Sequence, residues 1–306
     1  KHVTPEPKAR VYIITVGTPL DATGVSRLDM IENVSREIAA VLRDGDLVIM
    51  RSTVKIGTTR NVVVPILRQS GVKFHLAFCP ERTIEGAAVR ELRFLPQIVG
   101  ATDDAANVRA SQLFQFLTPT VVRVASVEAA EMIKLIDNAQ RDVSFAFSNE
   151  VARMCDGIGI SARDVIEAGK LGYPRTNLPM PGPVGGPCLE KDTYILAESV
   201  AAAGVVPEIA LAARRLNENQ PTEVVAQLRE MTAGLVGFPA TPIITLAGIA
   251  FKGRPATGDL RGTMARPILQ QLKAAFPGAE LRGFDPVVAA AEVAAFGLSP
   301  CPTLES

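Results

Sequence analysis

Residues 128–156 contain neither proline nor glycine, and apolar side chains dominate them. Because those two residue types are the usual helix breakers, the segment predicts a single helix about 40 Å long. A polar stripe of Glu131, Lys134, Asn138 and Asp142 runs along it, and Lys134 and Asn138 share one face as i,i+4 neighbours. Such a stripe is usually the solvated side of an amphipathic helix. Most of this circumference is apolar, so the stripe also fits the wall of a cleft.

Strands and helices alternate before this long helix. Residues 10–16, 46–50 and 73–78 are almost entirely apolar and predict strands of a sheet that is covered on both faces. A helix that begins at Asp29 follows the first strand, and a helix over about residues 58–68, with a possible kink at Pro65, follows the second. This order predicts a parallel α/β sheet.

The turns that end these three strands are polar and contain Gly17-Thr18-Pro19, Ser52-Thr53 and Pro80-Glu81. The carboxyl ends of parallel strands form the ligand-binding edge of an open sheet. The three turns therefore predict one shared binding edge, although each is also an ordinary way to end a strand.

A second α/β region follows the long helix. Separate helices are predicted at about residues 193–203, 207–218 and 221–231, and then strands over residues 241–248 and 280–286. Two strands are too few for a complete doubly wound domain.

The composition excludes several classes of protein. The 306 residues include 32 basic and 32 acidic side chains, so no excess of positive charge favours nucleic acid as a partner. No apolar run reaches the roughly 18 residues of a membrane span. Residues 1–9 predict a disordered leader, and nothing there predicts a signal peptide.

The four cysteines lack the spacing of a disulfide framework or a zinc site, which predicts no metal and a reduced, cytoplasmic location. The two histidines are His2, in the polar leader, and His75, in an apolar strand. Acid–base chemistry would therefore fall to carboxylates, a lysine or a thiol.

Residues 181–192 contain three prolines and three glycines before Cys188, so they predict a shaped loop. A helix can begin just after Cys188, and Lys191 is close by; both features favour the thiolate, which is the nucleophilic form. The alternative is a glycine-rich connection that carries a structural cysteine.

The sequence Gly-Gly-Pro-Cys-Leu-Glu-Lys-Asp at residues 185–192 resembles the Gly-Gly-x-Cys-x-x-Lys-Asp signature of the UDP-glucose/GDP-mannose dehydrogenase family. Other blocks resemble the same family in the same order, and together they cover most of the chain. They are Gly17-Thr18-Pro19, Ser52-Thr53 with Gly57-Thr58-Thr59, Pro80-Glu81-Arg82, residues 130–150 of the long helix, Ala213-Arg214-Arg215-Leu216-Asn217, and Gly248-Ile249-Ala250-Phe251-Lys252 with Asp259-Leu260-Arg261.

The resemblance implies two Rossmann-like parallel-sheet domains joined by a long central helix. The implied domains are an NAD-binding domain at residues 1–125, a central helical domain for dimerisation and catalysis at residues 126–235, and a UDP-sugar-binding domain at residues 236–306. The family's Gly-x-Gly-x-x-Gly turn has no counterpart here, so both sheet domains are expected to be incomplete. Ile56 and Glu190 stand where the family commonly has proline.

The resemblance also implies an activity: oxidation of the C6 alcohol of a nucleotide-linked hexose to the uronic acid, with two NAD and a covalent thioester on Cys188. Lys134 and Asn138 would stabilise the oxyanion, Asp192 would act as base, and Thr53 and Glu81 would order the hydrolytic water. Residues expected to contact NAD are Thr18, Pro19, Ser52, Thr53, Glu81, Lys191 and Arg261.

For the substrate, the resemblance implies a UDP-sugar. Residues expected to contact it are Arg175, Gly185, Gly186, Phe251 and Lys252, together with Arg214 reaching into a neighbouring subunit of a homodimer built on the central helix. The segments around Arg141 and Pro80 resemble the UDP-N-acetylhexosamine branch, whereas the spacing of Cys188, Lys191 and Asp192 resembles the glucose and mannose branches. Two alternatives stay open: a β-hydroxyacid dehydrogenase relative, and a non-catalytic protein that binds a sugar nucleotide.

Overall fold

A computed structural model describes residues 9–304 of the chain; the predicted leader falls almost wholly outside them, as does His2. The strands are β1 Val11–Ile14, β2 Asp46–Met50, β3 Phe74–Phe78, β4 Gln97–Ala101, β5 Val121–Arg123, β6 Ile243–Ala247, β7 Glu280–Phe284 and β8 Ser299–Pro300. The helices are α1 Asp29–Ala39, α2 Val64–Arg68, α3 Ala88–Glu91, α4 Asp104–Gln115, α5 Val127–Ile158, α6 Ala162–Lys170, α7 Leu189–Ala201, α8 Glu208–Ala233, α9 Ala265–Ala275 and α10 Ala290–Ala295.

The chain divides into two compact units. Among the described residues, the first contains 9–139 and 191–207, and the second contains 140–190 and 208–304. Helices α5 and α7 each contribute one part to either unit.

The first unit is built on a five-stranded sheet in the order β1-β2-β3-β4-β5. Strands β1, β2 and β3 are parallel, and their last residues, Ile14, Met50 and Phe78, lie side by side in register. This parallel arrangement was predicted from the apolar strands. Its core packs apolar side chains of the strands against α1, α2 and the start of α5.

Strand β4 pairs antiparallel with β3 and parallel with β5, so the sheet is mixed at this side. The connection between β3 and β4 contains only the short helix α3, and the chain returns beside β3 in the opposite direction.

Two proline positions differ from expectation. A π-helical turn, Thr59–Val63, precedes Pro65, which lies in the first turn of α2, where a missing N–H costs little. Pro221 was predicted to separate two helices, but α8 continues through it. Pro221 and its neighbour Gln220 are buried, and packing of this face maintains the helix despite the lost hydrogen bond.

Helix α1 begins at Asp29, as predicted, and Leu28 occupies its cap position without a side-chain hydrogen bond. Helix α7 begins at Leu189, which agrees with the predicted helix start just after Cys188 and is earlier than the approximate bound of residue 193. Ser161 caps α6, since its side chain accepts a hydrogen bond from the backbone N–H of Asp164.

The second unit contains a parallel three-stranded sheet in the order β6-β7-β8. The sequence predicted β6 and β7 but not β8, which is only two residues long. Helices α9 and α10 pack on this sheet around a core that includes Ile249, Leu269 and Phe296.

Candidate active site

Cys188 is exposed and forms no disulfide. It stands one residue before α7, at the end of an irregular loop in the second unit. This is the helix start that the proline- and glycine-rich segment predicted. The first peptide N–H groups of a helix favour negative charge nearby, so the local structure suits a thiolate at this position.

The loop before Cys188 contacts the region after β6. Gly186 has a φ of 98°, which glycine adopts freely, and its backbone N–H donates to the carbonyl of Gly262 at 2.7 Å. A Cβ at Gly186 would lie 2.6 Å from the ring of Phe251. The structure thus brings Gly185, Gly186 and Phe251, three of the predicted substrate-contact residues, into one cluster.

Lys252, Arg175 and Arg261, which were also predicted to contact the substrate or the cofactor, each have a different neighbour. The Lys252 ammonium lies 5.3 Å from the centre of the Phe251 ring. Arg175 is exposed and stacks on Tyr173 at 4.3 Å, whereas Arg261 is exposed and forms an ion pair with Asp259. Their assignment to substrate and cofactor stays a prediction.

Arg214 is buried, with a side chain only 1% exposed. Its guanidinium donates to the carboxylate of Asp142 at 3.1 Å, to the carbonyl of Leu189 at 2.9 Å and to that of Val184 at 3.1 Å. All of these bonds are to groups of the same chain; the contact of Arg214 with a substrate in a neighbouring subunit stays a prediction.

The first unit contains a second group of predicted residues. The side-chain amide of Asn138 donates to Asp192 at 2.6 Å, and the ammonium of Lys191 donates to the other oxygen of that carboxylate at 2.7 Å. Asp192 is fully buried. Lys134 is one helical turn before Asn138 on α5 and is half-buried, so these residues combine a buried carboxylate, an amide and two ammonium groups.

The carboxyl edge of β1, β2 and β3 carries the predicted polar turns. The hydroxyl of Thr18 donates to the carbonyl of Thr53, which joins two of them directly. Pro19 accepts a backbone hydrogen bond from Arg27. The hydroxyl of Ser52 is buried and has no hydrogen-bond partner among residues 9–304. An unsatisfied buried donor at this edge fits a polar ligand such as a dinucleotide.

Glu81 at this edge is paired with Arg51, a residue that sequence reasoning did not select. Arg51 is buried, donates to Glu81 and to Gln97, and lies 4.9 Å from the centre of the Phe114 ring. Burial acts to raise the pKa of Glu81, but the hydrogen bond from Arg51 and that from the Thr83 backbone hold this pKa below its usual value. Glu81 is therefore an anion at neutral pH.

Two further carboxylates were missed. Glu131 is buried and accepts hydrogen bonds from the backbone N–H groups of Gly57 at 2.6 Å and Thr59 at 2.9 Å. Glu198 accepts from Ser26 and pairs with Lys55 at 2.9 Å. Glu131 belongs to the polar stripe of the long helix, whereas no pattern distinguishes Glu198.

These features define a protein with two Rossmann-like sheets, a polar carboxyl edge and a cysteine at a helix start. Within residues 9–304, no helix is long and apolar enough to cross a membrane, and no cluster of side chains is suited to a metal ion.

The chain belongs to the UDP-glucose/GDP-mannose dehydrogenase family. Residues 4–118 match the NAD-binding domain of that family, and residues 128–219 match its central domain. The chain is 32% identical over 305 residues to the UDP-N-acetyl-D-glucosamine 6-dehydrogenase of Pseudomonas aeruginosa, covering 97% of this chain and 71% of that protein.

It is 29% identical over 276 residues to the UDP-N-acetyl-D-mannosamine dehydrogenase of Methanocaldococcus jannaschii, covering 89% of this chain and 61% of that protein. The solved structure of a UDP-glucose dehydrogenase from Pyrobaculum islandicum superposes with a TM-score of 0.85 at 26% identity, covering 97% of this chain and 69% of that one. The chain thus spans about two-thirds of the length of these relatives.

Proposed function

We propose that the whole protein oxidises the C6 alcohol of a UDP-sugar to the uronic acid, transferring four electrons to two NAD through a thioester on Cys188. The observation that carries this proposal is the exposed thiol of Cys188 one residue before α7. Lys191 and the buried Asp192 follow it on the same helix. A thiol at such a place suits covalent capture of an aldehyde.

The oxidation divides into two hydride transfers. Removal of a hydride from C6 and a proton from its hydroxyl gives the aldehyde, and the Cys188 thiolate then adds to that carbonyl carbon to form a thiohemiacetal. Loss of a second hydride from that carbon, together with the proton of its hydroxyl, gives the thioester. Water then attacks the thioester carbonyl, which releases the carboxylate and restores the thiol. Bound NAD supplies the acceptor for both hydrides.

The residues around Asp192 are proposed to accept the proton of the C6 hydroxyl and to stabilise the negative charge on the reacting oxygen. Asp192 is the base for the C6 hydroxyl, acting through Lys134 or a water, while Lys134 and Asn138 stabilise the oxyanion. The 2.6 Å hydrogen bond between Asn138 and Asp192 supports this assignment, because it fixes the amide and the carboxylate relative to each other.

The carboxyl edge of the first sheet is proposed to contact NAD and to order the hydrolytic water. Glu81 is held as an anion by Arg51, so it can accept a proton from that water, and Thr53 lies at the neighbouring strand end. Thr18, Pro19 and Ser52 would contact the cofactor from the same edge, and the unpartnered hydroxyl of Ser52 supports this. Lys191 and Arg261 stay proposed cofactor contacts.

The substrate is proposed to be a UDP-N-acetylhexosamine. The names of the similar proteins support this, since they include UDP-N-acetyl-D-mannosamine and UDP-N-acetyl-D-glucosamine dehydrogenases. Contacts are proposed from Gly185, Gly186, Phe251 and Lys252, with Arg175 on the loop. A homodimer built on α5 and a cytoplasmic location complete the proposal.

The test is NADH formation by the whole protein with UDP-N-acetylmannosamine, UDP-N-acetylglucosamine, UDP-glucose and GDP-mannose, supplied one at a time. The proposal expects turnover with a UDP-sugar and the highest kcat/KM with an N-acetylated one. Binding of a sugar nucleotide without any NADH would instead identify a non-catalytic protein.

A further inference from the structure

Four polar side chains form a continuous buried network in the second unit. They are Asp142 and Asn149 on α5 and Arg214 and Asn217 on α8, and each is at most 3% exposed. We call these four residues the buried network. They are buried next to an irregular segment, residues 182–188, which belongs to no helix or strand.

The network contacts the backbone at Gly182 and Val184 of that segment and at Leu189, the first residue of α7. The side chain of Asn149 donates to the carbonyl of Gly182 at 3.1 Å and accepts from its N–H at 2.7 Å. Arg214 donates to the carbonyls of Val184 and Leu189. Cys188 directly precedes Leu189, so the network binds the backbone on both sides of the cysteine.

The four side chains are also bonded to one another. Asn217 donates to the Asp142 carboxylate at 2.8 Å and accepts from Asn149 at 3.0 Å. Asp142 in turn balances the charge of Arg214 at 3.1 Å. The bonds therefore run without a break from Gly182 to Leu189.

A buried ion pair is weak evidence for stability, because apolar residues of similar volume often serve as well. What the Arg214 guanidinium contributes here is the fixed direction of its donors. A planar guanidinium donates in fixed directions to several acceptors at once, which neither an ammonium nor an apolar side chain can do. Loop carbonyls that are buried need such partners.

We propose that the buried network is a positioning device for Cys188, with Arg214 as its central residue. It fixes the backbone around the cysteine so that the thiol stays at the start of α7. The catalytic consequence rests on the proposed function, whereas the effect on the thiol does not.

The test compares Arg214→Lys with Arg215→Lys in the full chain. Lysine at position 214 keeps the charge opposite Asp142 but loses the planar set of donors, and Arg215 is an exposed neighbour on the same helix. The readout is the rate at which iodoacetamide alkylates Cys188, measured by mass spectrometry of its peptide. The peptide that contains Cys301 is the internal control in the same sample.

Arg214→Lys is expected to slow alkylation of Cys188 about two- to five-fold, the range that loss of a helix N-terminal interaction gives, with Cys301 and Arg215→Lys unchanged. An unchanged Cys188 rate in a folded Arg214→Lys protein overturns the proposal.

A double variant, Asp142→Leu with Arg214→Met, removes both charges and so leaves no buried ion without a partner. It is expected to fold and still to show slow alkylation of Cys188. If Cys188 in this folded variant is alkylated at the wild-type rate, the proposal is also overturned.

In the whole protein, Arg214→Lys is further expected to lower kcat about ten-fold with KM for the sugar nucleotide changed less than about two-fold, as for a group that affects the reacting atom and not binding. A fall in kcat/KM that comes from a raised KM, with kcat unchanged, would contradict this. If no protein, wild type included, forms NADH while the alkylation difference is present, the proposed function fails and the positioning role stands.

Discussion

Asn138 donates a 2.6 Å hydrogen bond to the fully buried carboxylate of Asp192. The two residues are 54 positions apart and belong to separate sequence motifs, one on the long helix and one after the cysteine loop. Their contact joins these motifs in the first unit, and Lys191 adds a positive charge to the same carboxylate.

Replacing Asp192 by Asn should test its role as base. The substitution keeps the shape of the side chain but removes the group that can accept a proton. We expect kcat to fall about 10²- to 10⁴-fold, the usual contribution of general-base catalysis. Steady-state NADH formation measures this, with Glu37→Gln, an exposed carboxylate of α1, as control. A kcat within about three-fold of wild type would remove Asp192 from the mechanism.

Replacing Arg51 by Met should change the pH dependence of turnover. The pKa of Glu81 is held low by Arg51 against the effect of burial. Without Arg51, burial dominates and the pKa rises, so protonation inactivates the variant at a higher pH than wild type. The acid limb of the kcat profile is expected to move up by about one pH unit, and Arg51→Lys should move it less. An unmoved acid limb in Arg51→Met would show that Glu81 does not have to be ionised.

Glu131 should make stability depend on pH. Burial is the largest cause that raises the pKa of its carboxyl. A raised folded-state pKa gives stability that is fully present below the ordinary value and is lost as pH rises through the folded value. Glu131→Gln does not titrate. Its amide has a single acceptor oxygen for the two backbone N–H groups, so one N–H loses its partner, which costs about 1–3 kcal/mol of stability.

The measurement for Glu131 is the free energy of unfolding of wild type and of Glu131→Gln from about pH 4 to pH 7. Wild type should be the more stable protein at the acid end, and the difference should narrow as pH rises. A difference that widens with pH would mean that the ionised form of Glu131 is the stabilising one.

Replacing Gly186 by Ala should weaken substrate binding. The new methyl group would meet the ring of Phe251 and would also strain a backbone with φ 98°. Gly237→Ala is the matched control, because Gly237 has φ 80° and nothing within 4 Å of its would-be Cβ. We expect KM for the sugar nucleotide to rise about ten-fold in Gly186→Ala, equivalent to about 1.4 kcal/mol, and to stay unchanged in the control. An equal rise of KM in both variants would mean that backbone strain alone, and not the contact with Phe251, weakens binding.

Local patterns in the sequence predicted much of this structure. The helix α5 followed from the lack of proline and glycine, the parallel strands β1, β2 and β3 from their apolar runs, and the helix start after Cys188 from the loop before it. Each of these depends on residues close together in the chain, so periodicity and turn chemistry suffice.

Contacts between distant residues could not be predicted in this way. Arg214 is buried against Asp142, 72 positions away, and an arginine in a helix has no local feature that distinguishes a buried from an exposed position. The pairing of Arg51 with Glu81 and the continuation of α8 through Pro221 likewise depend on tertiary packing, which overrides local propensity.

The central claim is the covalent, four-electron mechanism through Cys188, and the number of NADH formed per UDP-sugar tests it most directly. The whole protein and its Cys188→Ser variant would each be given a limiting amount of the best substrate with excess NAD. The account predicts two NADH per sugar and a uronic acid product for wild type, and no uronic acid from Cys188→Ser. One NADH per sugar, or an unchanged yield from Cys188→Ser, would contradict it.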